Sequence, residues 1–192
     1  MNQLPETLAS EVVTLRRYRP SDVAGLKQAI EASYDDLRRF LPWAQSPPTD
    51  ESVAEFVTPA AELFGGEHDA NYAITLATDA SIVGSCGLMP RIGPRALEVG
   101  YWVDSRYTGR RIATTTATLL TDAAFGLSDI DRVEIHCDEA NAASAAVARN
   151  CGFRLDRIVR DATRTADASG RSMIWVVGRD EWAAGRDRST RR

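Results

Sequence analysis

The stretch 71–103 most constrains the fold. "NYAITLATDASIVGSCGLMPRI" (71–92) carries two β-rich apolar runs around the turn "TDAS", and "ALEVGYWV" (96–103) adds a third, with no helical period between them. Consecutive strands joined by such short connections pair antiparallel. Two helical segments precede this meander, an uncommon order for a doubly wound fold.

"EVVTLRRY" (11–18) is β-branched and strand-like. The following "RPSDVAGLKQAIEASYDDLRRFL" opens on Ser21 or Asp22 as N-cap and repeats Val23, Leu26, Ala29 and Ile30 at helical spacing. "LPWAQSPPTDES" (41–52) is a Pro-rich connection. Ser52 and Glu55 then stand at capping-box spacing before the stripe Val53, Phe56, Val57, Ala60 and Phe64, which predicts a second helix closed by Gly65-Gly66.

After the meander, "SRYTGRRIATTTATLL" (105–120) is a turn feeding a helix, with Ile112, Thr116, Leu119, Leu120 and Ala123 near one face. "DRVEIHCD" (131–138) sets Val133, Ile135 and Cys137 against Glu134 and His136, a strand with one apolar face. "NAASAAVARNCGF" (141–153) is a short helix between the cap Asn141 and the terminator Gly152. "RLDRIVRDATR" and "RSMIWVVGRDEW" make a closing strand pair around "TADASG". The predicted order is β-α-α-β-β-β-α-β-α-β-β. It forms one domain over 1–183 and leaves 184–192 as a frayed polar tail.

A net charge of −4 provides no general attraction to nucleic acid. The three cysteines are an odd number without CxxC spacing, and the two histidines, His68 and His136, lie far apart, so neither a disulfide framework nor a metal site is expected. "MNQLPETLAS" has no basic n-region or apolar core, and no run approaches membrane-spanning length. A cytoplasmic protein without membrane contact is therefore expected.

Chemistry concentrates where "YWV" runs through "DSRYTGRR" into a helix. Unpaired backbone N–H groups at 109–113 would converge there, and an anion such as a pyrophosphate is their natural ligand. By itself the loop is a weak phosphate signal and is better read as a plain helix start. It lacks the Gly-Lys-Ser/Thr ending of a nucleotide P-loop.

Taken in order, "LRRFLPWA", "LEVGYWVDSRYTGRRIA", "DEANAASAAVARNCGF" and "MIWVVGRDEW" resemble the GCN5-related N-acetyltransferase (GNAT) superfamily, specifically its RimJ/RimL-type protein N-terminal acetyltransferases. The resemblance runs from about Val12 to about Trp182. It implies an α/β (α+β) GNAT fold, a mixed central sheet of about seven strands with splayed central strands and about four helices. It also implies direct transfer of acetyl from acetyl-coenzyme A to a primary amine, the α-amino group of a protein in this subfamily. Small amines such as an antibiotic, a polyamine or an amino-nucleotide are the alternative acceptors, and a non-catalytic acyl-coenzyme A binding module is a further alternative. A homodimer is compatible with the family.

Carried over residue by residue, the resemblance assigns Tyr101, Trp102 and Val103 to the strand edge that pairs with pantetheine. Arg106, Gly109, Arg110, Arg111, Ile112 and Ala113 fall on the pyrophosphate loop, and Asn141 on a cofactor contact that a helix cap would also explain. Arg111 replaces a usual small residue. A right-handed helical conformation, with the guanidinium toward solvent or a phosphate, would accommodate it. Ala148 stands where many relatives have a Tyr acid, so Ser144 becomes the expected proton donor to the leaving thiolate. A carboxylate or a water chain must take the amine proton, and Glu98 is the first candidate, with Glu67 and Asp69 of "GGEHDA" as alternatives. Tyr34 and Trp43, in "YDDLRRFLPWAQ", fall on the acceptor-side wall.

Overall fold

A computed structural model describes residues 3–161 and 165–190; the expectation that "RLDRIVRDATR" is strand throughout falls partly on 162–164, outside the described residues. One eight-stranded mixed sheet is formed by β1 (Thr7–Ala9), β2 (Val13–Arg17), β3 (Ala70–Leu76), β4 (Ile82–Met89), β5 (Ala96–Val103), β6 (Arg132–Asp138), β7 (Arg154–Arg160) and β8 (Arg171–Gly178). Their order across the sheet is β1-β2-β3-β4-β5-β6-β8-β7. The helices are α1 (Val23–Leu37), α2 (Asp50–Glu62), α3 (Ile112–Gly126), α4 (Ala142–Asn150) and α5 (Arg179–Thr190).

The expected meander is β3-β4-β5, antiparallel throughout, and β5 occupies the predicted 96–103. Two elements exceed the predicted order. β1 is a three-residue strand on the edge of β2, too short to show a periodic signal. α5 carries the chain to Thr190, so residues 184–190, expected as a frayed tail, are helical. Trp182 ties this helix to the core: its indole N–H donates to Asp122 Oδ1 at 2.7 Å and its ring packs near Phe125 and Phe153. The cap of α2 also moves. Thr49 and Ser52 form the reciprocal capping box, one turn before the expected Ser52/Glu55 pair, because Asp50 already begins the helix.

Each face of the sheet is covered. On one side Leu26, Ile30, Val53 and Val57 from α1 and α2 pack with Tyr18 and Ala73. On the other, Leu120, Ala124 and Trp182 from α3 and α5 close over Leu15, Ile74, Leu97, Val99 and Trp175. Strand alternation therefore puts Leu97, Val99, Tyr101 and Val103 on the α3 side, and Glu98, Gly100 and Trp102 on the α1 side.

The central strands part. β5 and β6 are the parallel pair, and their register covers only Ala96↔Arg132, Leu97↔Val133 and Glu98↔Glu134. Beyond Glu98, β5 continues against β4 as far as Gly84↔Val103, while β6 continues against β8 to Asp138↔Ser172. A bulge in β4, where Ile74 pairs with Gly84 but Thr75 pairs with Ile82, adds twist beside the departing end of β5. Gly84 is required there: any Cβ would lie far inside contact distance of the Trp102 carbonyl oxygen.

Candidate active site

The turn leaving β5 is anchored before it reaches the α3 helix. Asp104 is fully buried; its N–H donates to the Val83 carbonyl at 2.8 Å, and its carboxylate accepts the Arg106 N–H at 2.9 Å. The Arg106 guanidinium clamps the same carboxylate, with Nη2 at 2.6 Å from Oδ2. That guanidinium, expected at the pyrophosphate, is thus engaged with Asp104. Ser105 fixes the turn to α1 through its N–H on Ser33 Oγ at 2.9 Å and its hydroxyl on the Ala32 carbonyl at 3.0 Å.

Past this anchor the chain reverses through Gly109 at φ +75° and Arg111 at φ +62°, ψ +8°. Arg111 is therefore left-handed, not the right-handed helical residue expected. The reversal lets Ile112 begin α3 with its side chain in the core at 2% exposure. Arg111 is the N-cap of α3 and supplies no side-chain cap, which leaves the first-turn N–H groups at 112–114 without intrahelical partners. Arg110 stacks over the Tyr107 ring at 5.1 Å.

The start of α4 lies across the gap. Asn141 caps it as predicted, Oδ1 accepting the Ser144 N–H at 3.0 Å. Ser144 Oγ lies 3.0 Å from the Tyr101 hydroxyl. Burial raises the Tyr101 phenol well above its usual range, against the opposing hydrogen bond with Ser144, so the phenol keeps its proton at neutral pH. Sequence alone assigned Tyr101 only to the strand edge. Its side chain could have been placed by continuing the Leu97, Val99 alternation onto the α3–α4 side. Ala148, at the position where the resemblance implies a Tyr that this chain lacks, is fully buried.

On the α1 side, Glu98 is 6% exposed and held bidentately by Arg91, Nε to Oε2 at 2.8 Å and Nη2 to Oε1 at 2.6 Å. Glu134, its register partner on β6, is 1% exposed, and His136 Nε2 lies 2.5 Å from Glu134 Oε2. His136 Nδ1 stands 3.7 Å from Glu98 Oε2. Arg132 Nε approaches Glu134 Oε1 at 2.8 Å, an ion-pair contact out of line for a hydrogen bond. Glu134 and His136 were expected on the polar face of a strand; that face is turned into the gap, not to bulk water. Asp69 is close enough to raise the Arg91 guanidinium, although the Glu98 hydrogen bond raises it more, while Glu67 lies exposed in its loop.

A cleft of about 1170 Å³ joins these groups through the opening. Glu98, Tyr101, Trp102, Val103, Ala113, His136, Asn141 and Ser144 all line it, and Leu37, Phe40, Leu41 and Pro42 wall its α1 end. Tyr34 and Trp43, expected on the acceptor-side wall, are not among the residues that line the cleft: Trp43 is half exposed and tilted against Trp102 at 6.1 Å, and the Tyr34 hydroxyl donates to the Gln45 carbonyl at 3.2 Å.

The sheet is opened at its parallel junction, with the bare start of α3 beside the turn that leaves β5 and the Ser144–Tyr101 hydroxyl pair alongside the freed edge. The family model described as "Acetyltransferase (GNAT) domain" matches residues 13–154, and the chain belongs to that family, a class whose acetyl donor is acetyl-coenzyme A.

Among similar proteins, "Putative ribosomal N-acetyltransferase YdaF" of Bacillus subtilis (strain 168) is 28% identical over 159 residues, 79% of this chain and 83% of that protein. The solved structure of RimL, a ribosomal L7/L12 α-N-protein acetyltransferase in complex with coenzyme A, superposes with a TM-score of 0.79 at 24% identity, covering 92% of this chain and 98% of that one. The microcin C7 self-immunity acetyltransferase MccE, in complex with acetyl-CoA and AMP, superposes with a TM-score of 0.80 at 19% identity, covering 88% and 93%. At these identities the two structures establish the shared fold. Among the described residues no helix is long and apolar enough to cross a membrane.

Proposed function

We propose that this protein transfers acetyl from acetyl-coenzyme A to a primary amine, the α-amino group of a protein N-terminus. The observation that carries the reading is the β5 edge beyond Glu98, which has lost its β6 partner directly beside the Ser144–Tyr101 hydroxyls. Unpaired backbone groups along such an edge suit an extended, amide-bearing arm, which would satisfy them as an added strand does. Tyr101, Trp102 and Val103 would hold that arm. The N–H groups from Gly109 to Ala113 would receive the pyrophosphate, with Arg110 and Arg111 as the nearby cations, and Asn141 would set the start of α4 beside the arm.

Ser144 gives its hydroxyl proton to the departing sulfur, and the Tyr101 phenol, kept protonated by burial, supports that hydroxyl. The proton of the attacking amine leaves on the opposite side, toward Glu98 and its neighbours. The size of the cleft and its apolar wall at Leu37, Phe40 and Leu41 suit a protein acceptor, and Trp43 and Tyr34, outside that lining, would guide the incoming chain. The RimL and YdaF names agree with this acceptor class.

Calorimetry with acetyl-coenzyme A, followed by an intact-mass screen of N-terminal peptides and small amines, tests the reading. Binding with a mass gain of one acetyl group on peptide α-amines is expected. Acetylation of small amines alone would replace the acceptor class. Binding without transfer to any amine would leave a non-catalytic module.

A further inference from the structure

We propose that His136 is the base that takes the proton from the attacking amine, its imidazole held by Glu134 and facing the Glu98–Arg91 pair. The proposal rests on the amine-acetylating reading above, for any amine acceptor.

The argument starts from register. Glu98↔Glu134 is the last pair of the β5–β6 ladder, and His136 lies two residues further along β6, on the same face as Glu134. Its imidazole therefore stands where the strands have just separated. It lines the cleft with its side chain 28% exposed, enough to meet a substrate, whereas Glu134 behind it is 1% exposed.

The hydrogen bonds set the tautomer. Glu134 Oε2 accepts from Nε2–H at 2.5 Å, which leaves the Nδ1 lone pair free. Glu98 Oε2, at 3.7 Å from Nδ1, is beyond hydrogen-bond distance and already accepts from Arg91 Nε. Nδ1 is thus an unengaged acceptor at the mouth of the gap. Both Glu98 oxygens are engaged by the guanidinium, and protonating that carboxylate would break a bidentate charge-assisted pair.

Charged side chains surround the imidazole. Glu134 lies on its own strand and Glu98 on β5. Arg91, from the β4–β5 connection, and Arg132 balance these two carboxylates. On the other flank His136 pairs with apolar Ile174 of β8, and Arg157 on β7, in register with Ile174, is ion-paired to Asp156. Among the described residues the cluster is not a group that could hold a metal ion.

In the step, Nδ1 receives the N–H proton as the amine nitrogen bonds the acetyl carbonyl carbon. Ser144 protonates the sulfur that leaves with the C–S electron pair. The imidazolium then releases its proton to solvent, and Ser144 recovers one from it.

Two histidines in the chain make the test direct. ¹⁵N-histidine NMR of the free protein should show His136 protonated at Nε2 and bare at Nδ1 at neutral pH, with His68 as internal reference. An Nδ1–H tautomer would overturn the proposal. In single-turnover assays with acetyl-coenzyme A and an acetylated peptide or amine from the screen, His136→Gln should lower the rate at least about 10²-fold and abolish its fall at acid pH, with unchanged acetyl-coenzyme A affinity. His136→Ala should regain rate with added imidazole. A His136→Gln enzyme with the wild-type rate and pH profile would assign the base elsewhere. Wild-type inactivity on every amine would instead defeat the transfer reading, and the NMR tautomer would still decide the state of His136.

Discussion

Arg111 offers a perturbation whose two readouts should move in opposite directions. Its left-handed backbone costs a non-glycine residue about 1–2 kcal/mol, and its exposed guanidinium makes no hydrogen bond or ion pair among the described residues. Arg111→Gly removes that cost but gives the unfolded chain about 0.4–1 kcal/mol of extra conformational freedom. The net stabilisation is about 0–1.6 kcal/mol, an increase in Tm of up to about 6 °C for a chain of this size. If the guanidinium serves the pyrophosphate, its loss at an exposed position should cost about 1 kcal/mol of binding, roughly fivefold in the coenzyme A dissociation constant. Arg111→Ala separates the two effects, since it keeps the left-handed strain and loses only the charge: Tm should hold within about 1 °C while affinity falls equally. Thermal unfolding and calorimetry on the three proteins suffice. A lower Tm for Arg111→Gly would refute the strain argument, and tighter binding in both variants would show that the arginine obstructs its own loop.

Ser144→Ala should lower the single-turnover rate about 10²-fold with little change in acetyl-coenzyme A affinity, and Tyr101→Phe should lower it less; equal rates for Ser144→Ala and wild type would remove the leaving-group role. Asp22 is 6% exposed and bidentate with Arg16; burial opposes its ionisation, but Arg16 and the Arg19 N–H together hold its carboxyl below the ordinary aspartate range. The folded value being the lower one, the stabilisation is complete above the unfolded carboxyl range and lost as pH falls through the folded value. Asp22→Asn should therefore cost about 3 kcal/mol at neutral pH, in denaturant titration, and the gap should close in strong acid. Gly84→Ala should destabilise by about 1–3 kcal/mol or more, because its Cβ meets the rigid Trp102 carbonyl; unchanged denaturant stability would mean that the bulge can relax.

Elements with strong period or chemistry were legible in the residues themselves: the three-strand meander, the Asn141 cap and the turn before Ile112. What escaped has physical causes. Nothing in the letter Arg marks a left-handed residue, and here Gly109, two positions earlier, shares the reversal that forces it. Thr49 displaced Ser52 as N-cap because several residues in "PPTDES" could serve, and only the path from the Pro-rich connection decides among them. Glu134 and His136 alternate like an outward-facing strand, and alternation cannot tell bulk water from a cleft inside a split sheet. Their contact with Glu98 depends on β5–β6 register, which joins residues 98 and 134 across a helix and is invisible locally.

The three-pair junction between β5 and β6 has a further consequence. It leaves two sub-sheets, β1–β5 and β6–β8, joined by a narrow seam, so a donor laid into the gap acts as a tie between them. Loading would then be partly an act of folding: amide exchange along 99–103 should slow when coenzyme A is present, and at a hundred times its dissociation constant the whole chain should gain about 2.7 kcal/mol.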